Sequence, residues 1–231
     1  MSLHDARQEQ PTAHVRYGRR AILIDIGGVL ASDGLTAAAT EWSTRLGIPP
    51  QGFLNALFGG NDDHVLIGRT SEESWWDVIR DRLGVDQGLV DEIRGDLASR
   101  QTWDRVLLEA LHRLRGLARI AVVSNAWPHL RSRMANAGLL DVVDAVVLSC
   151  EVGFAKPDPR IYAAALRGVG ARPAEALFID DTPGHVAAAR SLGMAGHVHT
   201  STTDTPGLRQ SPISAGQDQC DGSFRLACVV A

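Results

Sequence analysis

Five short apolar runs recur along the chain, at residues 21–25, 120–124, 145–149, 176–180 and, more weakly, 196–199. Each ends on a polar or turn-forming residue. Apolar runs of four to six positions without alternation predict strands buried on both faces, the habit of a parallel sheet. Helical patterns separate the last four. Residues 127–137 and 159–169 carry apolar positions at helical spacing, and 183–192 is rich in Ala and stops before Gly193. Strands alternating with helices predict right-handed βαβ units. The expected fold class is therefore α/β, a doubly wound, Rossmann-like parallel sheet with helices on both faces.

The pattern changes between the first two strands. From residue 35 to 117 only helical periodicity is evident. Thr70 with Glu73 three positions later predicts a capping box ahead of Trp75, Trp76, Val78 and Ile79. Gly47, Pro49, Pro50, Gly59, Gly60 and Gly84 punctuate the segment. A small all-helical cap inserted after the first strand, lying over the active end of the sheet, is expected, with Trp42, Trp75, Trp76 and Trp103 in its core. The predicted organisation is a flexible arm at 1–18, a catalytic core at 19–34 and 112–200, a helical cap at 35–111, and an atypical, partly disordered tail at 201–231.

Composition narrows the partners. The 231 residues fit one sizeable domain with a smaller insertion, and 45% hydrophobic with 22% charged residues suit a globular protein. A formal net charge of -4 supplies no basic field, so neither nucleic acid nor membrane is expected as a partner. Cys150, Cys220 and Cys228 lack metal-ligand spacing and fit a reducing compartment. The first twenty residues lack the apolar run of a secretory signal, and no stretch approaches the roughly 20 apolar residues of a membrane span. A cytoplasmic location is the expectation. Oligomeric state is not legible.

The chemistry gathers where the runs end. The first closes on Asp25, followed by Ile26, Gly27 and Gly28. Open α/β sheets bind ligands at the carboxyl ends of their strands. A carboxylate there can hold a metal or attack a substrate, beside the plainer role of a turn Asp. Ser124 and Asn125 end the second run, Lys156 lies in the loop after the third, and Asp180 and Asp181 end the fourth. Singly these are ordinary turn residues; together, in this order, they form a constellation.

That order resembles the haloacid dehalogenase superfamily of phosphohydrolases over about residues 20–200. Lys156-Pro157-Asp158-Pro159 and the run from Asp180 through Pro183, Gly184 and His185 to Met194 carry most of the likeness. The resemblance implies a Mg²⁺-dependent phosphatase of a small phosphorylated metabolite. Asp25 would attack phosphorus, form an aspartyl-phosphate and touch the ion. The Gly27 carbonyl would be a second metal ligand. Asp180 and Asp181 would complete the site, the direct ligand of the two being open. Without the ion, crowded carboxylates would repel and one would tend to take up a proton. Ser124 and the backbone around Asn125 would donate to the phosphoryl oxygens. Lys156 would neutralise the same group and hold Asp25 ionised.

One position departs from the family pattern. Most of its phosphatases carry a second Asp two residues after the nucleophile, a general acid–base group worth roughly 10² to 10⁴ in rate. Here that residue is Gly27, which retains a carbonyl and no side chain. The Asp-Xaa-Gly-Gly-Val-Leu form is similar to the glucose-1-phosphate phosphatase-like and epoxide-hydrolase N-terminal phosphatase-like branch. Asp33 and His185 are the nearest substitutes, against plain roles in a turn and a first helical turn. The alternatives are a weakly active or non-catalytic Mg²⁺- and phosphate-binding regulatory member, and a 2-haloacid dehalogenase. That second branch usually has Ser-Asn-type residues where Asp180 and Asp181 stand. A mutase is disfavoured by the missing Asp. The stretch 57–67, with Asn61, Asp62, Asp63 and His64, reads as a solvated loop rather than a cleft wall.

Overall fold

A computed structural model describes residues 21–200 apart from 33, 60 and 61. The expected arm at 1–18, the tail at 201–231, Asp33, Asn61 and the side chains of Asp62 and Asp63 lie outside the described residues. The described part begins with β1 (Ala21–Ile24) and β2 (Ala31–Ser32), then runs through α1 (Leu35–Leu46), α2 (Pro50–Phe58), α3 (Asp62–Leu66), α4 (Glu72–Leu83) and α5 (Gln87–Arg100). It returns through β3 (Thr102–Trp103), α6 (Arg105–Leu114), β4 (Arg119–Ser124) and α7 (Leu130–Asn136). The last part holds β5 (Ala145–Leu148), α8 (Ser149–Val152), α9 (Pro159–Val169), β6 (Ala176–Asp180), α10 (Pro183–Ser191) and β7 (Ala195–Val198).

Five strands form one parallel sheet in the order β5-β4-β1-β6-β7. Every residue of β1 is buried, because alternate side chains enter two different apolar layers. Ile22, Ile24, Ile120 and Val122 pack with Leu111, Leu114 and Met134 on one face. Leu23, Ala121 and Val123 pack with Ile161, Tyr162, Ala165 and Val186 on the other. The unbroken apolar runs follow from this two-sided burial, which stabilises each large aliphatic side chain by about 1.5–3 kcal/mol. The doubly wound α/β sheet is thus present as the periodicity implied.

The insertion has its own interior. Trp42, Phe53, Leu57, Trp75, Trp76, Ile79 and Ile93 cluster among α1, α2, α4 and α5. Two buried indoles find acceptors: Trp42 Nε1 donates to Asp96 at 2.7 Å and Trp75 Nε1 to the Leu57 carbonyl at 3.2 Å. No helix among the described residues is long and apolar enough to cross a membrane.

Four local expectations are corrected. Ser71, not Thr70, caps α4 by accepting from the Ser74 amide at 3.1 Å, while the Thr70 amide turns to the His64 carbonyl. A strand does occur between 35 and 117: β3 pairs antiparallel with β2, a two-residue ribbon too short to show any period. Trp103, on that ribbon, packs with the sheet layer and not with the other three tryptophans. Within 57–67, α2 reaches Phe58 and α3 follows, with Leu57 and Val65 buried, so helix replaces much of the expected loop. Helix α6 buries Leu111 and Leu114 against the sheet.

Candidate active site at the strand ends

Parallel strands place their carboxyl ends on one edge, and β1, β4 and β6 are neighbours there. Asp25 follows β1 directly; its amide donates to the Ile179 carbonyl at 2.9 Å, extending the pairing with β6 by one residue. Its Oδ1 accepts from the Ile26 amide at 2.7 Å. The chain then turns back, with the Gly28 amide donating to the Ala31 carbonyl at 2.9 Å. Gly28 has φ +69°, and a Cβ there would lie 2.1 Å from Asp181 Oδ2. Only glycine meets both the dihedral and the close approach. At Gly27, by contrast, a Cβ would meet nothing within 4 Å.

Lys156 joins the carboxylates. Its ammonium lies 2.8 Å from Asp25 Oδ2 and 2.6 Å from Asp180 Oδ2, and its side chain is fully buried. The Asn125 amide group holds this lysine's backbone from both sides: Nδ2 donates to the Lys156 carbonyl at 3.0 Å, and Oδ1 accepts from the Lys156 amide at 2.6 Å. The Asn125 side chain is thereby occupied. Ser124, only 3% exposed, makes just a long 3.5 Å contact to the Asn125 carbonyl, so its hydroxyl is available for another partner.

Asp180 is wholly buried and surrounded by donors. Besides Lys156, the Thr182 amide reaches Oδ1 at 2.8 Å and His185 Nδ1 lies 3.1 Å from Oδ1 and 3.2 Å from Oδ2. Burial opposes its ionisation most strongly, yet the His185 and Lys156 contacts and the Thr182 amide hold it down to about 2. Asp25 goes the other way. Burial raises its carboxyl above the ordinary value, the Lys156 charge opposes that, and the Asp180 charge reinforces it. His185, expected as a possible acid–base substitute, has Nδ1 committed to Asp180. Tyr162 backs this cluster by donating to the His185 carbonyl at 2.9 Å.

Asp25, Asp180 and Asp181 each offer an oxygen within 4.8 Å of the others. Three carboxyl groups gather where one ammonium sits, so acidic groups outnumber that cation. Hard oxygen donors with net negative charge suit a divalent cation such as Mg²⁺, so the residues present fit that group.

The structure brings together Asp25, Gly28, Lys156, Asp180 and Asp181, with Ser124 and Asn125 on the adjacent strand end. Two supporting residues had no signal in the sequence. Ser149 Oγ, fully buried, accepts from the Ala126 amide at 2.9 Å and fixes the loop after Ser124. Glu72 bonds across to the same loop from the insertion. A serine closing an apolar run and a glutamate in a first helical turn are too common to be singled out.

A profile for haloacid dehalogenase-like hydrolase matches residues 19–193. The chain belongs to the haloacid dehalogenase-like hydrolase family. Among curated relatives of this hydrolase, bifunctional epoxide hydrolase 2 of Sus scrofa is 30% identical over 197 residues, 76% of this chain. The chain spans 35% of that protein's length, and 18% and 28% of two further relatives. Phosphatase MT3486 of Mycobacterium tuberculosis is 31% identical over 191 residues, covering 77% of this chain and 86% of its own. A HAD family enzyme of Bacteroides thetaiotaomicron superposes with a TM-score of 0.68 at 24% identity, covering 81% of this chain and 96% of that one. The same enzyme in complex with magnesium and inorganic phosphate superposes with a TM-score of 0.64 at 23% identity, covering 82% and 98%. At these identities the superpositions show a shared fold.

Proposed function

We propose that this hydrolase is a Mg²⁺-dependent phosphatase of small phosphorylated metabolites, with Asp25 as the phosphoryl acceptor. The observation that carries it is the buried Asp25–Lys156–Asp180 array beside Asp181 at the strand ends. A phosphatase among the relatives, and the magnesium and phosphate held by a fold neighbour, support the same reading. The net charge of -4 gives no attraction to nucleic acid or anionic membrane, which favours a small substrate.

Asp25, Asp181 and the Gly27 carbonyl would hold the ion. Asp180 is saturated by Lys156, His185 and Thr182, so Asp181 is the better direct ligand of the pair. A bound Mg²⁺ would supply charge neutralisation for a phosphoryl group. An Asp25 oxygen attacks phosphorus while the bond to the leaving oxygen breaks and that oxygen takes the electron pair. Water then attacks the acyl phosphate, releasing inorganic phosphate and restoring the carboxylate. Ser124 Oγ and the backbone at Asn125 donate to the transferring oxygens, and Lys156 balances their charge. The insertion would act as the cap over this edge. Gly27 offers no proton to the leaving oxygen, and His185 Nδ1 is engaged. Substrates whose leaving oxygen is acidic enough to depart unprotonated therefore fit best.

The test is turnover of p-nitrophenyl phosphate with and without Mg²⁺, alongside Asp25→Asn. Turnover should require the ion and fall by about 10⁴-fold or more in the variant. Equal activity in Asp25→Asn would sink the nucleophile assignment. Mg²⁺ and phosphate-analogue binding without turnover on a broad phosphate panel would favour a regulatory member, the reading that Gly27 supports. Metal-independent chloride release from 2-chloropropionate would point to a dehalogenase.

A further inference from the structure

Glu72 is a buried acid that the strand-end chemistry leaves unused. It opens α4 on the helical insertion and is only 6% exposed. One oxygen, Oε1, accepts from Arg94 at 3.2 Å and from Trp76 Nε1 at 3.4 Å, both on the insertion. The other, Oε2, accepts from the backbone amide of His129 at 3.2 Å and lies 3.0 Å from His129 Nδ1. His129 belongs to the sheet layer, in the loop between β4 and α7.

Other contacts meet at the same seam. Trp127 packs edge-on against Trp76 with centroids 5.7 Å apart and lies 6.3 Å from Phe58, both insertion residues. Gly68, at φ +70°, comes so near the Cys150 carbonyl that a Cβ would stand 2.1 Å from it. The loop that receives Glu72 is itself tied to the candidate active site. The Ala126 amide is anchored by Ser149, and Asn125 clamps the backbone of Lys156. A continuous path therefore runs from Glu72 through His129 and Trp127 to Asn125 and Lys156. A buried carboxylate is tolerated only when its donors are supplied, and here the sheet layer supplies half of them.

We propose that Glu72 is a positioning residue that docks the insertion on the loop after Ser124, so that the seating of the insertion and the geometry of the phosphate-side loop are set together. Its kinetic consequence rests on the phosphatase reading; its structural consequence does not. With the dock loosened, the insertion closes less readily over a substrate, and binding suffers more than the chemical step.

Full-length Glu72→Ala, Glu72→Gln and His129→Ala are compared with the unmodified protein by hydrogen exchange and by steady-state turnover of p-nitrophenyl phosphate. Exchange should quicken at residues 126–130 and 68–76 in all three, most in Glu72→Ala. KM should rise about tenfold in Glu72→Ala, as expected for loss of a charged hydrogen bond, with kcat changing less than about threefold. Glu72→Gln should fall between, because its single carbonyl cannot accept from both sides of the seam. Unchanged exchange at 126–130 in His129→Ala and Glu72→Gln overturns the proposal and leaves Glu72 a packing residue. Should Glu72→Ala fail to fold, His129→Ala carries the test, its side chain being 45% exposed. Absence of turnover in the unmodified protein defeats the phosphatase reading alone, since the exchange result still decides the docking.

Discussion

The sheet layer and the helical insertion bury similar apolar side chains but treat polar groups differently. In the sheet layer the buried polar groups crowd one edge: Asp25, Ser124 and Asp180 at strand ends and Lys156 in the loop after α8 are all nearly inaccessible. In the insertion the interior is aromatic and aliphatic, and its indole N–H groups are satisfied locally. Its deeply buried acid, Glu72, faces the seam with the sheet layer. Packing stabilises both regions. At the sheet edge the buried Asp180 charge works against ionisation of Asp25, and that repulsion is what a divalent cation can relieve.

Substitutions that attack one region at a time can break this comparison. The largest effect is expected from Lys156→Met. It leaves Asp25 and Asp180 buried without their shared ammonium, so stability should fall by about 3–5 kcal/mol and turnover by about 10³-fold or more. Denaturant melts together with p-nitrophenyl phosphate assays would read both. A stability loss below about 1 kcal/mol would mean that the carboxylates are not held by Lys156.

Next comes Ile79→Ala, which opens a cavity in the insertion's own cluster, a cluster that includes no site carboxylate. A loss of about 2–5 kcal/mol is expected on thermal or denaturant unfolding. Turnover at saturating substrate should change little. A collapse of kcat equal to that of Lys156→Met would erase the division between the two regions.

The finest test contrasts two neighbouring glycines. Gly28→Ala should cost about 1–3 kcal/mol and most of the activity, since its Cβ collides with Asp181 at a left-handed dihedral. Gly27→Ala should cost less than about 1 kcal/mol, because its Cβ enters open space. Equal effects, measured by melting and turnover, would contradict the local geometry at this turn.

Much of the sheet layer was legible because two-sided burial forces unbroken apolar runs, and the strand ends follow from where those runs stop. The boundaries of β6 and α9 match the periodicity to the residue. The ribbon formed by Ala31–Ser32 and Thr102–Trp103 was not legible, since two residues on each side carry no period and the pairing spans seventy positions. The cap of α4 slipped by one residue because Thr70 and Ser71 are both competent N-caps and only the folded backbone chooses between them. In the candidate site, residue types and order announced Asp25, Ser124, Asn125, Lys156, Asp180 and Asp181. Apart from the pairing of Lys156 with Asp25, their partners were silent.

Sequence alone determined the α/β class and the edge at which charged groups would meet, because these depend on hydrophobic period and on residue order along the chain, and its motifs carried the resemblance to the family. Tertiary structure decided which carboxylate Lys156 shares with Asp25, that His185 is spent on Asp180, that Asn125 braces the lysine loop, and that Glu72 reaches across to His129. The physical reason is distance. Hydrophobic burial is written into local pattern, whereas a hydrogen bond or ion pair depends on ångström-scale separations between residues remote in sequence, which only the packed sheet and its insertion fix.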